Sequence, residues 1–379
     1  MVEKDATYIK WKQTNSMLYK RTTLFIFLLS TKNIVFLPFF IILLFRKCLL
    51  NFLLKRSSFP ASIIAYNINN EVIIMKICVR PGILAPVHQK LLIEDFPTID
   101  FVDKLEDDAE VLISFPNIIR KETLDSLPNL KWIQLFSAGF DQGDLPYLKS
   151  RSITLTNARG IYSIPIAEDV VARLLAINRQ LPQYIQDQEQ KKWNRELNGY
   201  ELYGSTIGFL GAGSIAVETA KRLVGFNVRL LAYREHQGKV EPFDEIFTGE
   251  KGLYDLIRQS DYIISVLPSN QETIHLLDQK RLRLMKKDAV LINVGRGDLI
   301  NEQELVEVLR SGHLRGVSLD VYEVEPLPKD SPLYQLPNVL LTPHHAGAST
   351  HTSERLYQLI KKNIRHFLTG GELDNIVRL

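Results

Sequence analysis

The stretch TIGFL-GAG-SIAVETAKRLVG, followed closely by VRLLAY, restricts the fold of this chain more than any other. An apolar run of strand length enters a glycine turn. An amphipathic segment with apolar residues at spacings of three and four follows, and then a second apolar run. This order is a βαβ unit, whose two strands lie parallel in one sheet. The inward face of the helix is expected at Ile215, Ala216, Ala220, Leu223 and Val224, with Gly225 as the residue just past its end. The runs DYIISVL, AVLINV, RGVSLDV and VLLT repeat the pattern downstream. Strands apolar throughout, alternating with helices, indicate a parallel sheet covered on both faces.

An earlier series, KICV, DFV, EVLISF, WIQLF and ITLT, starts after Met75 and ends near residue 160, as expected of a second, smaller α/β unit. Between the two series, SIPIAEDVVARLLAINRQLPQYIQ reads as one helix, with Ser163 as its N-cap and Pro165 in its first turn. A chain of 379 residues is long enough for two such cores.

The glycine turn GFLGAGSIA fits G-x-G-x-x-[GA] at Gly211, Gly213 and Ala216. The motif is weak alone but gains from standing between a strand and a helix. Gly211 permits the turn, and Gly213 lets backbone approach a pyrophosphate. Ala216 keeps helix and sheet close. The N–H groups of Ser214 and Ile215 would face the phosphates at the helix N-terminus. An NAD site places an acid about 20 residues on. Here Arg234 stands 23 residues after Gly211, and a guanidinium suits the 2′-phosphate of NADP. NADP is therefore the preferred cofactor, with NAD the alternative.

Three later stretches, LINVGRGDLI, SLDVYEVEPLP and LTPHHAGAST, each begin as a buried strand and end in polar residues. Ligands of open α/β sheets bind at the carboxyl ends of strands, so Arg296, Glu325 and His344 could meet in one crevice.

With FSAGFD, TNARGIYSIPIAEDV and GFLGAGSIA, these stretches make six ordered motifs by which the chain from about Met75 onward resembles the D-isomer-specific 2-hydroxyacid dehydrogenases. The resemblance implies a doubly wound (Rossmann) cofactor domain, residues 173–347, inserted into a flavodoxin-like substrate domain, residues 75–172 plus 348–379. It implies a catalytic set of Arg296, Glu325 and His344, with a carboxylate cradle at Ser137, Ala138 and Gly139. Further cofactor contacts fall on Leu267, Pro268, Thr273, Val294 and Asp320. His345 stands where the family usually has an aliphatic residue, and is expected to pack or touch solvent.

Hydride addition to a 2-keto carbon builds charge on the carbonyl oxygen, which a positioned imidazolium can protonate. Glu325 bonded to the ring of His344 would favour the charged form, and Glu323 is the nearest decoy for that role. Arg296 would grip the substrate carboxylate in a fork. The expected activity is interconversion of a small 2-keto acid and its D-2-hydroxy acid, glyoxylate- or hydroxypyruvate-like. Oxidation of 3-phosphoglycerate is a rival, although only 35 residues follow His344. A rival of another kind is a dinucleotide-sensing, corepressor-like binding protein on the same fold. A cytoplasmic homodimer is expected from the resemblance and from the frequency of two-fold dimers.

Residues 1–74 differ from the rest. They carry ten Lys/Arg against three Asp/Glu, and Leu24 to Phe45 is strongly apolar, broken by Lys32 and Asn33. The reading is an upstream frame joined to the protein, with a membrane anchor as the alternative. The remainder, with 36 basic and 40 acidic side chains, has no electrostatic footprint for nucleic acid. Cys48 and Cys78 lack the spacing of a disulfide framework or a zinc site.

Overall fold

The computed structural model describes residues 75–378, so both readings of residues 1–74 fall outside it. Two parallel sheets organise this part of the chain. The first contains β1 (Lys76–Val79), β2 (Asp100–Val102), β3 (Val111–Ser114), β4 (Trp132–Leu135) and β5 (Thr154–Thr156), in the order β2-β1-β3-β4-β5. This is the flavodoxin-like order. The second contains β6 (Thr206–Leu210), β7 (Arg229–Tyr233), β8 (Glu245–Phe247), β9 (Tyr262–Ser265), β10 (Val290–Asn293), β11 (Gly316–Leu319) and β12 (Val339–Leu341). Its order, β12-β11-β10-β9-β6-β7-β8, reverses direction between β6 and β9. That reversal defines the doubly wound fold and its ligand crevice.

β9, β10 and β11 are buried at every residue, as strands covered on both faces must be. After β12 the chain returns to the first sheet. Leu356, Tyr357, Ile360 and Ile364 of the helix Thr352–Thr369 share one apolar core with Ile77, Val111, Ile113 and Trp132. Asn363 of the same helix donates to Gln134 Oε1 at 2.8 Å in the buried interior, and Ile376 bridges antiparallel to Thr156. Cys78 is a free, buried thiol in β1, and burial pushes its pKa up to about 11.

The structure departs from sequence expectation in four places. The long helix is two: Ser163–Asn178 and Leu181–Glu189, separated by Gln180 in the left-handed region at φ 54°. Pro182 supplies the reason, since it starts a helix well but cannot continue one. Ser163 does not act as N-cap. It is the first helical residue, and its hydroxyl donates to Ser214 Oγ at 2.9 Å. Past the helix Ser214–Leu223, a 3₁₀ turn carries the chain to Asn227, which takes the left-handed conformation assigned to Gly225. Val224 consequently points outward, and Thr219 fills the inner face with Ala216, Ala220 and Leu223. The edge strand β8 was not anticipated, because three residues flanked by polar ones carry no periodic signal.

Candidate active site

The carboxyl ends of the second sheet open on a cleft of about 1370 Å³, whose opposite wall comes from loops of the first sheet. Gly211 enters it at φ 106°, a conformation open to glycine, with its N–H donated to Tyr233 O at 2.9 Å. At Gly213 an added Cβ would meet no atom within 4 Å, so this backbone faces open space. No side chain caps the helix that follows, and Ser214 and Ile215 line the cleft. Unsatisfied N–H groups at a helix N-terminus, reached past a residue without a side chain, suit a pyrophosphate.

Leu267, Pro268 and Val294 also line the cleft. Thr273 does not. Its hydroxyl accepts from Asn270 N at 2.9 Å and donates to Pro268 O at 2.7 Å, holding the loop after β9 in shape. Arg234 follows β7, outside the residues that line the cleft, with its N–H on Phe247 O at 3.0 Å.

Asp320 ends β11 and is 2% exposed. Its carboxylate accepts from the backbone N–H groups of His345 and Ala346, both at 3.0 Å, from the Thr342 hydroxyl, and from Arg173 Nη2 at 3.2 Å. Its carbonyl accepts from His344 N at 2.7 Å. One residue thus fixes the backbone of three consecutive residues, including His344 in its left-handed conformation at φ 51°. Arg173, 3% exposed, joins Asp320 to Asp169 and to Ser318 Oγ.

His344 Nδ1 lies 2.8 Å from Glu325 Oε2, while Glu325 Oε1 accepts from Tyr322 N at 3.1 Å. With Nδ1 engaged, Nε2 is the ring nitrogen free to meet a ligand. Glu323 serves another histidine: its Oε1 is 2.6 Å from His275 Nε2, and its Oε2 accepts from Glu302 N. His345 is exposed on the cleft wall and is held by its backbone alone. Burial pushes the phenols of Tyr162 and Tyr322, both on the cleft, up to about 12, so they stay protonated at neutral pH.

Arg296 follows β10. Its Nη2 is 3.1 Å from Asp141 Oδ1, its Nε is 3.4 Å from Oδ2, and its Nη1 donates to Gly295 O at 2.9 Å. The guanidinium lies so close to Gly139 that an added Cβ there would sit 1.7 Å from Nη2. Beside it, the N–H groups of Ser137, Ala138 and Gly139 have no hydrogen-bond partner among the described residues. The segment is fixed through its carbonyls instead: Ala158 N donates to Ser137 O and Asn157 Nδ2 to Ala138 O.

Sequence reasoning missed Asp141, Arg173 and Thr342. Asp141 closes the quoted motif FSAGFD, and Asp169 precedes Arg173 by one helical turn. Both signals are visible in the chain, but their partners are set by tertiary contact. Among the described residues, no cluster of three or more His, Cys, Asp or Glu could hold a metal ion. None of their helices is long and apolar enough to cross a membrane.

Comparison with known proteins identifies the family. Residues 171–346 match the model of the D-isomer specific 2-hydroxyacid dehydrogenase, NAD binding domain. A glyoxylate reductase of Thermofilum pendens is 36% identical over 279 residues, covering 72% of this chain and 81% of its own. A D-3-phosphoglycerate dehydrogenase of Methanocaldococcus jannaschii is 30% identical over 74% of this chain but only 53% of its own. The crystal structure of a D-isomer specific 2-hydroxyacid dehydrogenase family protein from Aeromonas salmonicida superposes with a TM-score of 0.72 at 32% identity, covering 80% of this chain and 99% of that one. The chain belongs to the D-isomer-specific 2-hydroxyacid dehydrogenase family and is an NAD(P)-dependent enzyme of that class.

Proposed function

We propose that this enzyme reduces a small 2-keto acid to its D-2-hydroxy acid, with NADPH preferred over NADH and His344 as the general acid. One observation carries the reading. A histidine–glutamate pair, a guanidinium and three backbone N–H groups unpaired among the described residues line a single cleft, at the carboxyl ends of β10, β11 and β12 and the facing loop after β4. Residues 173–347 are the dinucleotide-binding domain in this reading. Residues 75–172 and 348–379 form the substrate domain.

Gly211, Gly213, Ser214 and Ile215 would hold the pyrophosphate, with Leu267, Pro268 and Val294 packed along the nucleotide. Thr273 would act by shaping the loop that carries Pro268. When bound, the dinucleotide supplies the hydride. The substrate carboxylate would rest on Arg296 and on the N–H groups of Ser137, Ala138 and Gly139, which fixes the keto group near His344. Glu325 holds Nδ1, so the proton passes from Nε2 to the carbonyl oxygen as charge develops there. Asp320 fixes the loop bearing His344, and its carboxylate is also the group for the nicotinamide carboxamide.

Arg234 would meet a 2′-phosphate from the end of β7. A homodimer formed through the dinucleotide domain is part of the same reading. It is supported by exposed apolar side chains after the helix Ser163–Asn178, among them Ile185 and Trp193, the latter 90% exposed. The reading places the enzyme in the cytoplasm.

The test is a steady-state screen of glyoxylate, hydroxypyruvate, branched keto acids and phosphohydroxypyruvate, with NADPH and NADH in parallel. Turnover of an unphosphorylated keto acid, higher with NADPH, is expected. His344→Ala should lower kcat by about 10²–10⁴-fold without weakening cofactor binding. Tight cofactor binding with no turnover of any acid would favour the dinucleotide-sensing alternative.

A further inference from the structure

The guanidinium of Arg296 already holds a carboxylate. Asp141, in the loop after β4 of the first sheet, meets the Nε and Nη2 edge of Arg296, which follows β10 of the second. The pair therefore spans the cleft. Two different consequences are open to such a contact. Asp141 could occupy the place of the substrate carboxylate and have to leave, or it could hold the arginine while the substrate takes another edge.

The donor arrangement decides between them. A guanidinium offers five N–H groups in a rigid planar fork. Asp141 takes Nε–H and the Nη2–H on the same side. The carbonyl of Gly295, in the backbone just behind, takes one Nη1–H at 2.9 Å. Two N–H groups remain, one on each terminal nitrogen. These donors are open to a second carboxylate while the contact to Asp141 stays in place. Displacement of Asp141 is not required.

Gly139 lies against Nη2, and Asp141 is two residues further along the same loop. The loop that presents the unpaired N–H groups of Ser137 to Gly139 thus also sets the rotation of Arg296. Both halves of a carboxylate site, the backbone donors and the guanidinium, are tied to one segment.

We propose that Asp141 is a positioning residue for Arg296, holding its Nε/Nη2 edge so that the Nη1/Nη2 edge faces the substrate carboxylate. This rests on the assignment of Arg296 to that carboxylate. The contact also joins the two walls of the cleft, since Asp141 follows β4 and Arg296 follows β10.

The experiment compares Asp141→Ala, Asp141→Asn and Arg296→Ala with the wild-type enzyme. It reads KM for the best keto acid, KM for NADPH, kcat, and calorimetric binding of oxamate, an unreactive amide analogue of a keto acid, at saturating cofactor. Asp141→Ala should raise the keto-acid KM and weaken oxamate roughly 10- to 100-fold, since a hydrogen bond to a charged group is lost. NADPH KM should not change. Asp141→Asn keeps one acceptor oxygen and should recover part of the loss. A lower KM or tighter oxamate in either Asp141 variant overturns the proposal, because it makes Asp141 a competitor. Unchanged values in both variants, with Arg296→Ala impaired, overturn it as well. An unimpaired Arg296→Ala overturns the assignment of Arg296 itself, and the proposal with it.

Discussion

Each acid of the cleft wall has a partner fixed by its local geometry. Glu325 and Glu323 stand two residues apart, yet one holds His344 and the other His275, because the loop bends there; in an extended segment residues two apart would share a face. Asp141 shows what such a partner does to titration. Burial alone would push its carboxyl up, but the hydrogen bond and charge of Arg296, with help from nearby backbone N–H groups, outweigh burial and hold it below the ordinary range. A carboxyl with a depressed folded pKa adds stability above its unfolded value, near about 3.9. That stability disappears as pH falls through the lower folded value. Wild type should therefore resist urea better than Asp141→Asn at pH 7. The two unfolding midpoints should draw together as pH falls through that lowered folded value. Equal midpoints at neutral pH, or a gap that persists in strong acid, would contradict this.

At the scale of elements, the helix Ser163–Asn178 reaches the catalytic loop through one buried side chain. Arg173 sits between Asp169 on its own helix, Asp320 at the end of β11 and Thr342 after β12. Removing one partner of a buried ion pair leaves an uncompensated charge and costs about 3–5 kcal/mol. Arg173→Leu should lose that much in chemical denaturation. It should also reduce turnover, because Asp320 would hold the His344 loop less firmly. A loss under about 1 kcal/mol would mean that Asp320 finds another partner. Strands of this sheet were legible in the chain because β9, β10 and β11 are apolar at nearly every position, which only a doubly covered strand tolerates. β8 was not, since an edge strand of three residues needs no such pattern. The break at Gln180 is marked by Pro182, but a strong apolar periodicity on both sides concealed it. Asn227 took the left-handed role from Gly225 because the 3₁₀ turn moved the helix end by two residues.

In the described chain as a whole, two parallel sheets share one cleft, and the helix Thr352–Thr369, which follows the second sheet in the chain, packs on the first. That arrangement brings Arg296, Glu325 and His344, each from a different strand end, opposite a loop of the other sheet. The three residues were legible because they lie in separate, ordered motifs at the ends of buried strands. Asp141 and Arg173 were not assigned, because nothing in their local sequence says which distant group they will meet.

The central claim is that these groups surround the reacting carbonyl. A crystal structure of the enzyme with NADP and oxamate tests it most directly. The oxamate carboxylate is expected on Arg296 and on the N–H groups of Ser137 to Gly139, with its amide oxygen within about 3.2 Å of His344 Nε2. Oxamate bound elsewhere in the cleft, or His344 turned away from Glu325 and the ligand, would contradict it.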